Sequence, residues 1–359
     1  MTHHLRSALA GLFALVALAP AAAMAGYVQT DLVTSATDPD LINPWGISFS
    51  STSPFWVSDN GAGKATLYNS TGVKQGLIVS MPTGSEGITG QVFNGNATNF
   101  NGDRFLFASE GGTIAGWRQP LGTTAEQLFS RPDAIYKGLA ISAANDTLFA
   151  TNFHAGSIDV FNSSGFVKSF SDPTAPAGYA PFNIQKIGGK FFVTFAKQDA
   201  DKEDDVKGVG FGFVDTFDPV TGTFTRLITG SDAGGTVTAL NAPWGLAMAP
   251  GSFGAFAGAL LVGNFGDGVI NAFDPSTGAL LGLLADLSNS PLVNLGLWGL
   301  TFGNGGNGGD PNALYFTAGG ANEDTGVFGR IRAVPEPMSL ALLCLSLVGL
   351  NVLRRRKQI

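Results

Sequence analysis

One unit recurs six times along this chain. A repeat of roughly 40 to 60 residues confines the fold to a solenoid or a ring of stacked units. Each copy opens with a turn and a short apolar strand typified by Pro-Trp-Gly-Ile. An apolar strand ending in small polar residues follows, then a glycine turn, then an alternating strand ending in an aromatic. The clearest copy runs Asn241-Ala242-Pro243-Trp244-Gly245-Leu246, Leu260–Phe265, Gly268–Pro275. The first runs Asn43-Pro44-Trp45-Gly46-Ile47, Phe55–Asn60, Lys64–Tyr68. The third opens on Lys137-Gly138-Leu139-Ala140 and the sixth on Leu297-Trp298-Gly299-Leu300. The second (Glu86–Thr89) and fourth (Pro181–Ile184) are looser.

Each unit holds three or four short antiparallel strands and cannot bury both faces alone. Stacked face to face and closed in a ring, six such sheets make an all-β, six-bladed β-propeller with only short protected edges. The sixth unit ends near Ala333 without an outer strand, while Tyr27–Val33 is a strand with no unit of its own. The two are predicted to pair and close the ring. A two-sheet sandwich is the rival fold, and six similar units argue against it.

The ends of the chain read separately. His3, His4 and Arg6 precede the uncharged apolar run Leu9–Ala19 and the A-x-A site Ala23-Met24-Ala25. Residues 1–25 are expected to be a signal peptide, cut between Ala25 and Gly26. Val334-Pro335-Glu336-Pro337 is followed by the 16 residues Met338–Leu353 and then by Arg354-Arg355-Arg356-Lys357. As a helix the apolar run spans about 24 Å, a little short of a bilayer core, and arginine side chains can snorkel across part of the difference. The basic cluster stays on the cytoplasmic side, which leaves the body outside. The expected organisation is a signal peptide (1–25), a propeller (26–333) and a tail carrying a transmembrane helix (334–359).

Pro335-Glu336-Pro337, the span and the basic end together resemble the PEP-CTERM sorting tail of Gram-negative bacteria that make exopolysaccharide. The resemblance implies signal peptidase and an exosortase-like membrane enzyme as partners. It also implies transient insertion in the inner membrane and delivery to the cell surface or medium. The repeats resemble NHL and gluconolactonase-like six-bladed propellers. The whole body resembles an uncharacterised bacterial propeller family that often carries this tail. The cues are Asn43-Pro44-Trp45-Gly46, Asn241–Gly245, and Ala196–Asp201 before Gly212-Phe213-Val214-Asp215.

With both ends removed, the body carries 15 basic and 26 acidic side chains, a net charge of −11. Such a surface repels phosphate backbones, so nucleic acid is not an expected partner. The lone cysteine, Cys344, lies in the tail, so the body is without disulfides and without thiol chemistry. Of three histidines only His154 remains in the body, too few for a His-rich zinc site, and no Gly-x-Ser-x-Gly elbow accompanies it.

Two groups of residues are candidates for a site. The loop Asp199-Ala200-Asp201-Lys202-Glu203-Asp204-Asp205 offers hard oxygens that suit Ca2+, with Asp199, Asp201, Asp204 and Asp205 as ligands, although the EF-hand spacing is missing. A solvated loop is the plainer reading. Asp59, Glu110, Asn152 and Asn264 stand at equivalent strand ends and would converge on the channel of a propeller. Gluconolactonase-type enzymes resemble this in placing Glu, Asn and Asp around one divalent ion. Asn and Asp also cap strands and turns without any such role. The sequence therefore favours a non-catalytic binding protein for extracellular polysaccharide or an envelope partner. The alternative is a metal-dependent hydrolase or lactonase using the channel.

Overall fold

A computed structural model describes residues 26–334 of the chain. These residues form six four-stranded antiparallel sheets, one per sequence unit. The innermost strands are Pro44–Ser48, Ile88–Phe93, Tyr136–Ile141, Tyr179–Ile187, Pro243–Met248 and Leu297–Phe302. Each touches the next in order, and the last returns to the first, so the ring is complete. The fold is the six-bladed propeller expected from the repeats.

Closure uses both ends of the described chain. Tyr27–Thr34 is the outer strand of blade 6 and pairs antiparallel with Val327–Ala333, Tyr27 opposite Ala333 and Thr34 opposite Val327. A bulge between Asp31 and Val33 adjusts the register. The unclaimed N-terminal strand therefore supplies the missing edge of the sixth unit. Without that pairing, two sheet edges would stay open.

Phenylalanine fills the clefts between blades. Trp56 of blade 1 stacks on Phe105 of blade 2 with centroids 3.9 Å apart, and Phe149 of blade 3 meets Phe191 of blade 4 at 5.0 Å. Phe55 of blade 1 meets Tyr315 of blade 6 at 4.4 Å. Each such ring is worth about 1.5–3 kcal/mol on burial, which is how a body without disulfides holds together.

The glycine of the Pro-Trp-Gly unit has a steric cause. A Cβ on Gly46 would lie 2.6 Å from the Thr89 carbonyl oxygen of the next blade, and one on Gly245 would lie 2.5 Å from that of Trp298. On Gly299 it would meet the Trp45 carbonyl oxygen at 2.6 Å. Neighbouring inner strands are too close for a side chain there. Blade 4 has Asn183 at this position, and its Nδ2 donates to the Trp244 carbonyl at 2.8 Å, bridging a gap the glycines leave closed.

Helix among the described residues is confined to short 3-10 turns, and none is long and apolar enough to cross a membrane. The expected span, Met338–Leu353, and the motif Pro335-Glu336-Pro337 lie outside the described residues, as does the expected signal peptide up to Ala25. The glycine-rich stretch Gly303–Gly309, which reads as a flexible hairpin in sequence, is pinned. Asn304 Nδ2 donates to the carbonyls of Ser50 at 2.8 Å and Ser53 at 3.0 Å.

Candidate functional site

Aligning the six units on their glycine places Trp45, Thr89, Lys137, Phe182, Trp244 and Trp298 at one equivalent position, preceding Gly46, Gly90, Gly138, Asn183, Gly245 and Gly299. The aromatic members and Lys137 meet at the axis, while the Thr89 hydroxyl donates to the Tyr136 carbonyl of the next blade at 2.7 Å. Trp45 stacks on Trp298 at 3.4 Å between centroids, and Trp298 stacks on Phe265 at 4.0 Å. Trp244 stands edge-on to Trp45 at 5.9 Å, and Phe182 is edge-on to Trp298 at the same distance. Blades 1 and 5, and blades 4 and 6, are not neighbours, so their inner residues can touch only across the axis. The channel is plugged by aromatic rings. Below the plug lies a funnel of about 280 Å³ lined by the later halves of the inner strands.

Lys137 is the one charged member of this set and is 2% exposed. Its carbonyl accepts the Trp244 indole N–H at 3.1 Å, and its ammonium lies 5.4 Å from the Trp45 ring centroid. The ammonium reaches the upper mouth, the end at which inner strands begin. There it meets Glu110 Oε1 at 2.5 Å and Asp204 Oδ1 at 2.9 Å. Burial opposes the lysine charge, but the two carboxylates outweigh it and hold its pKa above the ordinary value. Lys137 is therefore an ammonium at neutral pH and no nucleophile.

A hydrogen-bonded arc continues round the mouth. Asn60 Nδ2 donates to Glu110 Oε2 at 2.9 Å, and Asn43 Nδ2 donates to Glu323 Oε2 at 2.9 Å. Asn43 Oδ1 accepts the Trp298 indole N–H at 2.9 Å, tying the arc to the plug. Asp205 completes the mouth. Its Oδ2 is buried without a hydrogen-bond partner, as is the Trp45 indole nitrogen. Burial pushes the Asp205 carboxyl up to about 7; Lys137 and Lys207 pull against that, while Glu323 and Asp204 add to it. Burial likewise raises Glu323, opposed by its bond from Asn43.

Beside this arc a cleft of about 540 Å³ opens, walled by Glu110, Asp133, Lys137, His154, Glu203 and Asp204. The arrangement is acidic, polar and shallow. It can take a neutral or cationic polar group and hold a proton at Asp205 near neutral pH. His154 stands in the wall of this cleft, and among the described residues no side chain hydrogen-bonds its ring.

The candidates from sequence divide. Asp59 is fully buried, accepts Thr66 Oγ1 at 2.7 Å, and has its pKa raised well above the usual range by burial. Asn152 donates to Asp159 Oδ2 at 3.1 Å and accepts the Ala155 N–H at 3.2 Å. Asn264 donates to the Ala239 carbonyl at 2.8 Å and to Asp267 Oδ1 at 3.1 Å. These three hold the turns around their own blades, and only Glu110 of the four stands in the mouth. In the acidic loop, Asp204 and Asp205 reach the mouth. Asp199 accepts the Glu203 N–H at 2.9 Å and Asp201 faces solvent. Among the described residues no group of three or more His, Cys, Asp or Glu side chains is placed to hold a metal ion. The gluconolactonase-type ligand set does not fit these residues. Lys137, by contrast, is a site residue that composition and motif do not single out. Its signal is positional: a charge where the other copies put Trp, Phe or Thr.

Sequence comparison adds a family. No protein-family profile matches the chain. It is 32% identical over 305 residues to the uncharacterized protein R648 of Acanthamoeba polyphaga mimivirus, across 79% of this chain and 72% of that one. The chain belongs to that family. A second member, the uncharacterized protein L690 of the same virus, is 32% identical over 293 residues, 75% of each chain. Among solved structures, virginiamycin B lyase from Staphylococcus aureus superposes with a TM-score of 0.53 at 14% identity, over 86% of this chain and 99% of that one. A protein of unknown function from Bacteroides thetaiotaomicron gives 0.57 at 9% identity, over 86% of this chain and 76% of that one. At these identities the likeness is one of fold. The solved structures share the fold, the family members named above are uncharacterized, and neither comparison assigns an activity to the mouth around Lys137.

Proposed function

We propose that this chain is an exported propeller, delivered to the cell surface by its tail, that binds an extracellular polysaccharide without turning it over. The observation that carries the binding reading is the plug. Trp45, Trp244 and Trp298 close the axis directly beneath Lys137, so a ligand meets a shallow polar mouth rather than a channel. Neutral hydroxyls suit that mouth, since Glu110, Asp204, Asp205 and Glu323 repel anions. The hydrolase alternative needs a ligand set for a metal. Asp59, Asn152 and Asn264 bond within or beside their own blades, and although Asp59 Oδ1 and Asn264 Oδ1 are buried without a partner, neither stands in the mouth with Glu110. Export and sorting rest on the signal segment, the Pro335-Glu336-Pro337 motif, the apolar run and the basic end.

The test has two arms. Retention of the secreted protein on immobilised neutral exopolysaccharide is expected to fall several-fold in Glu110→Ala and Lys137→Met, with no change in the size of the polysaccharide on incubation. Shortened chains would establish the hydrolase instead. Replacing Pro335, Glu336 and Pro337 by alanine is expected to leave an uncut precursor in the membrane fraction; unchanged size and location would sink the sorting reading.

A further inference from the structure

Residues 275–309 contain a single charged side chain, Asp286, in an otherwise acidic body. This stretch builds the outer strand of blade 5, Leu280–Leu283, and the crossing to blade 6. It exposes Leu280 at 48%, Leu281 at 52%, Leu287 at 56%, Val293 at 51% and Leu295 at 51%, with Leu283 at 36%. Isolated exposed apolar side chains are ordinary; five leucines and a valine within sixteen positions make a patch of the kind that marks an interaction surface.

The patch lies where the described chain ends. The Val334 N–H donates to the Gly26 carbonyl at 3.0 Å, and the Tyr27 N–H donates to the Ala285 carbonyl at 2.9 Å. A Cβ on Gly26 would be 2.9 Å from a methyl of Leu287. On the other side, Gly254 adjoins Ala333, and Phe256 of the same turn covers Gly282 within the outer strand. The exit point at Val334 is thus bordered by the patch at Leu287 on one side and by the turn Gly254–Phe256, which packs on the outer strand, on the other. Asp286 caps the N–H groups of Ser288 and Ser290 at 2.8 and 2.9 Å, so the hairpin tip beside Leu287 presents little free polar backbone.

From Val334 only Pro335, Glu336 and Pro337 intervene before the apolar run that begins at Met338. Fully extended, those links reach about 14 Å. We propose that the blade 5 to blade 6 face, centred on Leu281 and Leu287, rests on the outer surface of the bilayer while the tail is inserted. The face then orients the propeller, with apolar side chains dipping into the headgroup region and the acidic surface turned away. The recognised partner is a phospholipid surface met through burial of apolar area, since the patch offers no Lys or Arg for anionic headgroups. The proposal rests on the membrane reading of the tail given above.

The test uses the full chain with Cys344→Ser, labelled at single cysteines with a polarity-sensitive fluorophore. Leu281→Cys and Leu287→Cys report on the face, and Val220→Cys, 86% exposed on blade 4, is the control. The protein is reconstituted in vesicles of phosphatidylcholine with a minor share of phosphatidylglycerol, some carrying brominated acyl chains. Retention through alkaline carbonate establishes that the tail is inserted. With the tail inserted, labels at 281 and 287 are expected to shift to the blue and to be quenched several-fold more than the label at 220. Equal quenching at all three positions overturns the proposal while leaving the inserted tail standing. Loss of the chain in carbonate overturns it through its premise. Disulfide-linked pairs through position 287, formed equally in detergent, would make a second copy the occupant and overturn it too.

Discussion

The carbonyl of Lys137 accepts the indole N–H of Trp244 across the ring axis at 3.1 Å, joining blades 3 and 5, which are not neighbours. The contact makes the axis a core in its own right. Trp298 has the largest share of it, stacked on both Trp45 and Phe265. Trp298→Ala is expected to cost about 3–5 kcal/mol, read as a lower midpoint in urea unfolding, because rigid inner strands cannot collapse into the space left.

Lys137 is the buried half of an ion pair whose other halves are wet. Glu110 is 33% exposed and Asp204 75% exposed. Removing the acid is therefore worse than removing the base. Glu110→Gln should destabilise by about 1–3 kcal/mol, since it leaves an ammonium in the aromatic plug with one exposed partner. Lys137→Met should cost less than Glu110→Gln, because the freed carboxylates rehydrate. Thermal unfolding of the two variants side by side checks the order.

Asp205 gives the protein a pH dependence of definite sign. Its carboxyl is raised from 3.8 to about 7, so between those values the folded chain holds a proton the unfolded chain has lost. This contribution to stability is full below about pH 4 and is lost as pH rises through 7. Asp205→Asn keeps the neutral shape at every pH. The variant should match the parent near pH 3.5, draw ahead as pH rises above 4, and exceed it most near pH 8. Urea midpoints at the two pH values test this, and a variant gaining nothing at the higher value would refute the assignment.

The glycines of the repeat differ in what surrounds them. Gly299→Ala forces a Cβ to 2.6 Å from the Trp45 carbonyl oxygen, while Gly76→Ala meets nothing within 4 Å. The first should cost about 1–3 kcal/mol through overpacking, and the second should be neutral or slightly stabilising. Equal effects in chemical denaturation would show that inner-strand spacing is not what fixes the glycine.

The fold was legible because its constraint is local and repeated. Pro-Trp-Gly at Pro44, Pro243 and the related Leu297-Trp298-Gly299 mark inner strands, and the glycine is forced by the neighbouring blade. Tyr27–Thr34 was legible as the closing strand because unit six lacked an edge. The site was less so. Asp59, Asn152 and Asn264 sit at equivalent strand ends, but side-chain direction depends on what each turn must satisfy, and Thr66, Asp159 and the Ala239 carbonyl claim them first. Asp204 and Asp205 stood out as part of an acidic loop, whereas their partner Lys137 is 67 residues from Asp204, a pairing that only ring geometry makes.

The pairing of Tyr27 with Ala333 also sets a clock. Among the described strands the first to be synthesised, Tyr27–Thr34, has as its partner the last, Val327–Ala333. Blades 1 to 5 can form as the chain is made, but the circle stays broken until Val327–Ala333 is complete. A chain halted before that strand is made is left holding an open sheet edge for any protease or neighbour that finds it.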